Sequence, residues 1–243
     1  MDKKAILKNF SKYARFYDRY ADVQNLAALK LANGIKNINP ANILEIGCGT
    51  GNYTLLLRGK FKNAKIKALD ISKEMIEVAL GKISGKHIEF SVSDAENADF
   101  NEKFDLITSN ACFQWFDNLE KALIRYKKLM RKNSVISFSI FGPATFRELN
   151  DILKNKLKNT SVAADNFIGE EKIREILGKN FKKIRIKEFI YQESFPRLKD
   201  LLDKIKYTGV RGEGLAGRAH LNRRLLGEKI SATYQIFFCQ AIR

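Results

Sequence analysis

The residues of this 243-residue chain best suited to chemistry concentrate in one stretch, Asn42 to Gly51, reading NILEIGCGTG. Gly47, Gly49 and Gly51 let the backbone turn sharply and let a ligand come very close, because no side chain intervenes. Glu45 sits in the apolar run just before them, where a carboxylate without a partner is costly to bury. A cationic or hydrogen-bond-donating ligand is its expected partner. A second apolar run, Ile66 to Leu69, ends in Asp70, 19 residues after Gly51. Rossmann-like folds place there the acid that holds a ribose diol. The glycine pattern is GxGxG preceded by an acid, not the GxGxxG of dinucleotide binders. A glutamate aimed into that loop would repel phosphates but suit a positively charged ligand. On the glycines alone, a Gly-rich turn in some other α/β protein is the competing reading.

Alternating elements must position these residues. Strands are expected at Asn42 to Ile46, Lys65 to Leu69, His87 to Val92, Phe104 to Thr108 and Val135 to Ile140, with helices after Gly51, from Ser72 to Leu80 and from Leu119 to Met130. That alternation predicts a parallel sheet. Strands Lys183 to Tyr191 and Ser231 to Ala241 follow, the last one antiparallel. Ahead of the sheet, Phe10 to Gln24 places Phe10, Tyr13, Phe16, Tyr17 and Tyr20 on one helical face, and a second helix covers Leu26 to Ile35. These rings either pack the core or line the ligand pocket. Helices from near Thr145 to about Asn159 and from Glu170 to Leu177 exceed what a crossover needs, and predict a cap over 142–180. One domain is expected, with N-terminal helices over 1–38.

Polar residues fall at strand ends, where open α/β sheets bind ligands. Asp94 could accept a hydrogen bond from an adenine amino group beside a backbone donor at Ala95, or cap the turn that follows. Met75 could support a purine or serve the core.

The motif ILEIGCGTG with Asp70 resembles the class I S-adenosylmethionine-dependent methyltransferases. The resemblance implies a Rossmann-like α/β fold: a mostly parallel seven-stranded sheet with an antiparallel last strand. It also implies S-adenosylmethionine held, without metal, by Glu45, Gly47, Cys48, Gly49, Gly51, Asp70, Ile71, Met75, Asp94, Ala95 and Asn110. After the fourth strand the chain reads SNACFQWFDN and lacks the NPPY-like tetrad of enzymes that methylate base amines, which disfavours that chemistry. Gln114 and Trp115 instead resemble the QW pair of methyltransferases acting on small acids and acyl chains.

Composition supports a globular chain: 45% hydrophobic residues and three prolines. No apolar segment approaches the roughly 20 residues of a membrane span, and MDKKAILKNF lacks a signal-peptide core, so a cytoplasmic location is expected. Cys48, Cys112 and Cys239 are widely spaced and, with only two histidines, suggest neither a disulfide frame nor a metal site. The net charge is +17, and residues 121–243 hold 27 Lys and Arg against 12 acids, while residues 1–120 hold 17 against 15. An acidic partner would dock on the second half, unless the lysines simply decorate solvated faces.

The segments FSKYARFYDRYADVQ, ILEIGCGTGNYT, SNACFQWFDNLEKAL, FGPATFREL, LDKIKYTGV and TYQIFF, in that order, resemble the malonyl-[acyl-carrier protein] O-methyltransferases of biotin synthesis over essentially the whole chain. The resemblance implies methylation of the free carboxylate of a malonyl thioester on an acyl carrier protein; no membrane or nucleic-acid partner is expected, and a monomer is favoured. Tyr17, Gln114 and Trp115 would line the substrate pocket. Arg147, Arg211 and Arg218 are the candidates to grip the carboxylate, since a guanidinium fork binds both oxygens. Methylation of a free small carboxylic acid, and a non-catalytic nucleic-acid-binding module, are the alternatives.

Overall fold

β1 (Asn42–Ile46) is buried at every position but the first because helices cover both faces of the sheet at its centre. In the computed structural model, which describes residues 2–156, 162–209 and 223–243, Ile43 packs towards α2 (Asp22–Gly34), α3 (Asn52–Lys60) and α4 (Lys73–Lys82). Leu44 and Ile46 face the opposite layer, α5 (Leu119–Leu129) and α7 (Glu170–Asn180). The other strands are β2 (Lys65–Asp70), β3 (Ile88–Val92), β4 (Phe104–Asn110), β5 (Met130–Phe141), β6 (Lys182–Phe195) and β7 (Ile230–Ile242). They form one seven-stranded sheet in the order β3-β2-β1-β4-β5-β7-β6. β1 to β5 pair in parallel, and β7 runs antiparallel to both neighbours. The doubly wound α/β architecture expected from the sequence is therefore present. The order turns outward from β1 to β2 on one side and β4 on the other, and a ligand site belongs at the carboxyl ends of those strands.

Three boundaries differ from expectation. The helix expected over Phe10–Gln24 is α1 (Lys3–Tyr17), whose N-cap Asp2 accepts the Lys4 N–H at 2.8 Å. The chain leaves the helix after Tyr17 because Asp18 is claimed by distant partners: Thr50 Oγ1 at 2.6 Å, Asn52 Nδ2 at 3.1 Å and Lys82 Nζ at 2.7 Å. α2 then starts at Asp22 instead of Leu26. β5 starts at Met130, five residues early, with a bulge opposite Phe104/Leu106 that absorbs the left-handed Asn133.

Within 142–180, α7 lies on the sheet, burying Ile173, Ile176 and Leu177 beside Phe138 and Ile140. α6 (Arg147–Lys156) and the 3₁₀ turn Ala163–Asn166 instead join α8 (Leu198–Tyr207) in a separate apolar cluster with Val23, Trp115 and Phe195. Lys204, buried in α8, ties this cluster to the sheet. Its ammonium lies 2.7 Å from Glu193 and 3.2 Å from Asp22. Removing one partner of a buried pair strands the other charge, and the partial exposure of Glu193 tempers that penalty. Lys204→Met is expected to lower stability by about 2 kcal/mol, read from the urea midpoint, with Glu193→Gln in the same background restoring part of the loss.

Candidate functional site

The turn after β1 is held by the end of β2. Leu69 O accepts the N–H groups of Gly47 and Cys48 at 2.8 and 3.0 Å. Asp70 accepts the Gly49 N–H at 2.9 Å on one oxygen and the Ser72 N–H at 2.9 Å on the other. All three glycines adopt positive φ, at 67°, 54° and 83°, yet they do different work. A Cβ on Gly47 would lie 2.3 Å from Cys112 Sγ, and one on Gly51 would lie 2.7 Å from Ile83 Cδ1. Those two glycines let strands and helices touch. Around Gly49 nothing lies within 4 Å of such an atom, so its surface is left for a ligand.

Gly47 and Gly49 line a cleft with Asp70, Ile71, Met75, Asp94, Ala95 and Asn110, all at the carboxyl ends of β1 to β4. α1 closes it from above with Lys3, Ile6, Phe10 and Tyr17, while Trp115 and Phe116 form the end wall. Burial raises the Asp70 pKa, an effect partly offset by the N–H groups of Ser72, Gly49 and Ile71. Burial also opposes ionisation of Asp94, but hydrogen bonds from Lys3, Asn97 and the Glu96 N–H outweigh it and hold the carboxyl below its usual range. Lys3 Nζ lies 3.0 and 2.9 Å from the two Asp94 oxygens and 2.6 Å from Glu96. Tyr126 donates to Ala95 O at 2.9 Å and fixes that loop. Asn110 is braced by Ser139, whose hydroxyl donates to Oδ1 at 2.7 Å, and by Gln24 O at 3.1 Å.

A family model described as a methyltransferase domain matches residues 43–133. Malonyl-[acyl-carrier protein] O-methyltransferase 2 of Ilyobacter polytropus is 37% identical over 211 residues, 86% of this chain and 81% of that protein. The chain belongs to the malonyl-[acyl-carrier protein] O-methyltransferase family. The Acetivibrio thermocellus member is 33% identical, covering 86% of this chain and 79% of its own. The YcgJ protein of Bacillus subtilis shares the fold, with a TM-score of 0.63 at 16% identity over 90% of this chain and 98% of that one. So does a Haemonchus contortus phosphoethanolamine N-methyltransferase solved with S-adenosylhomocysteine, with a TM-score of 0.59 at 20% identity over 91% and 53%.

Against this family background, the structure gathers most of the residues singled out in the sequence and separates several. Tyr17 and Trp115 line the cleft; Gln114 lines the larger one beside it. Met75 is both core and cleft wall, at 2% exposure. Glu45, Cys48 and Gly51 lie behind the turn and do not line the cleft. Arg147 lines neither cleft: its exposed guanidinium pairs with Glu148 at 3.2 Å. Glu148 in turn accepts the Thr233 N–H at 2.9 Å, so that end of α6 is fastened to β7. Arg211 and Arg218 fall outside the described residues. Phe10, one of the rings offered for core or pocket, lines the cleft, whereas Lys3 and Cys112 were missed. Lys3, Phe10 and Tyr17 recur every seven residues, two helical turns, a signal visible only once the helix is begun at Lys3.

Glu45 is 1% exposed, and neither carboxylate oxygen has a hydrogen-bond partner. Burial pushes its pKa up to about 8, assisted by the charge of Asp70; the nearby Thr54 hydroxyl favours the charged form without meeting ordinary hydrogen-bond geometry. The folded state therefore holds a proton that the unfolded chain releases near pH 4.5. Stability of the ligand-free protein should fall as pH rises from about 4.5 to about 8 and level off above. Glu45→Gln should flatten that slope in urea titrations across pH. Substituting the glycines separates their roles: Gly51→Ala should cost about 2 kcal/mol or more of stability through strain and overlap. Gly49→Ala should cost about 1 kcal/mol and act chiefly on ligand affinity, measured by calorimetry.

Proposed function

We propose that the chain transfers a methyl group from S-adenosylmethionine to the free carboxylate of a malonyl group borne on acyl carrier protein. The observation that carries this reading is the open backbone of Gly49 beside Asp70, next to a second cleft large enough for an acyl substrate, in a chain of this family. The donor set fits the cofactor. Asp70 retains acceptor capacity for a ribose diol, Ile71 and Met75 offer an apolar bed for a purine, and Asp94 an acceptor for its amino group. The cleft encloses only about 100 Å³ with α1 closed, whereas ligands of this size need roughly 300 Å³ or more. Entry therefore requires α1 to lift, and Asp94 to exchange Lys3 for the amino group.

S-adenosylmethionine supplies an electrophilic methyl group on a positively charged sulfur. The chain's residues supply orientation and dryness. A carboxylate of ordinary pKa, about 4, is already ionised at neutral pH, so no general base is required. Tyr17 agrees with that: burial, reinforced by Asp70, Asp18 and Cys112, raises its phenol well above neutrality. It stands by as a hydrogen-bond donor. Phe10, Trp115 and Phe116 exclude water, which favours a step in which opposite charges vanish. Arg211 and Arg218 remain candidates for the grip on the carboxylate; Arg147 would first have to leave Glu148.

The methyl ester would mask the malonyl charge so that chain-elongating enzymes accept the product as a primer, an early step of biotin synthesis in the cytoplasm. Incubation with malonyl-carrier protein and methyl-labelled cofactor should give a labelled carrier that loses its label in mild base. Base-stable label, or none, would overturn the reading. Asp70→Ala should weaken binding of S-adenosylhomocysteine about tenfold or more, followed by calorimetry.

A further inference from the structure

We propose that the large cleft between α1, the turn Phe113–Trp115 and α7 is a binding site for the uncharged, amide-bearing thioester arm on which a carrier protein presents the malonyl group. This rests on the methyl-transfer reading above and adds to it which part of the substrate is recognised. The cleft encloses about 770 Å³, ample for an arm of that kind. It adjoins the cleft beside Gly49, since Ile6, Trp115 and Phe116 line both. A chain lying in it would deliver its end to Trp115 and the cofactor site.

Its lining selects against charge. Phe113, Trp115, Phe116, Ile168 and Ile176 make an apolar floor. Among the described residues, the charged ones lining it are Asp2, Asp117 and Glu120 against one cation, Lys172, itself 2.9 Å from Glu175. A small dicarboxylate or a polyphosphate handle meets net negative charge here, whereas a neutral arm that carries its one carboxylate at the far end does not. Polar recognition is also provided. Gln114, 6% exposed, donates to Ala111 O at 2.7 Å, and its own carbonyl oxygen is buried without a partner. An amide N–H from the arm is the donor that this oxygen lacks. Specificity for carrier-borne malonyl over free malonate then lies in the arm, not in the reacting group.

The experiment compares malonyl-carrier protein, malonyl-pantetheine, malonyl-coenzyme A, malonyl methyl thioester and free malonate as methyl acceptors for the whole chain. Expected is kcat/KM for malonyl-pantetheine at least 100-fold above the methyl thioester and malonate, with malonyl-coenzyme A below pantetheine at low salt. Asn166→Trp, at an exposed position on the cleft wall, should raise KM for pantetheine and carrier substrates about tenfold while leaving S-adenosylhomocysteine affinity unchanged. Gln114→Leu should raise the same KM but not that of the methyl thioester; a purely structural role would shift both. Equal turnover of the methyl thioester and malonyl-pantetheine, or an Asn166→Trp enzyme with unaltered KM, would overturn the arm site while methyl transfer stands. If malonyl-carrier protein itself receives no methyl group, the underlying functional reading fails instead.

Discussion

The site depends on one hinge of hydrogen bonds, by which the end of β2 holds the turn leaving β1. Two N–H groups on Leu69 O and one on Asp70 fix a backbone that three left-handed glycines make possible. Asp70 is thereby a structural acceptor that also lines the cleft. Its carboxylate, half-buried, already carries a donor on each oxygen, so its orientation is set before any ligand arrives. The parallel pairing of β1 with β2 places the two strand ends side by side, which is why residues about 20 apart in sequence meet at one turn.

Burial decides which of the nearby groups can carry charge. Desolvation drives Glu45 towards its neutral form, and it raises further the pKa of the Tyr17 phenol and of the Cys112 thiol, pressed against Gly47, groups already neutral near pH 7. A neutral Glu45 and phenol supply little basicity, and a reaction between an ionised carboxylate and a cationic methyl donor needs none. Asp94 and Glu96 are both paired with Lys3. The apolar character that suppresses ionisation is also what strengthens attraction between an anionic acceptor and a positively charged donor.

Much of this was legible in the chain. The strands, their parallel order and the antiparallel last strand follow from apolar runs and punctuation; the place of Asp70, Asp94 and Asn110 in the cleft follows from their position at strand ends, and that of Met75 from the capped helix start at Ser72. What failed depended on contacts remote in sequence. Asp18 breaks the first helix because Thr50, Asn52 and Lys82 come to it from α3 and α4, and no local propensity carries that information. Glu45 was expected to face the ligand. The pleat turns it instead to the side of Ile43, towards Thr54 and Tyr53, while Ile46 takes the opposite face. Gly51, grouped with the ligand glycines by its motif, is required by the approach of α4. Arg147 suited a carboxylate by type and was drawn off by its own neighbour, Glu148.

α1 is the element on which both clefts converge. Its N-cap and first turns contribute Asp2, Ala5 and Ile6 to the larger cleft and Lys3, Ile6 and Phe10 to the smaller, which its last residue, Tyr17, also lines. The Lys3 pairs are about one-quarter exposed on the lysine side, and ion pairs of that kind contribute on the order of 1 kcal/mol or less. Edge-to-face packing of Phe10 on Trp115, centroids 5.9 Å apart, adds an interaction of similar size. Farther along, Tyr13, Phe16 and Tyr20 gather around Tyr207 of α8, and Ser11 meets Ser72 at 3.0 Å. The helix is thus fastened firmly at its carboxyl half and lightly at its amino half. A ligand entering the smaller cleft would therefore have to displace only the weaker contacts of the helix, at a cost small beside the folding free energy.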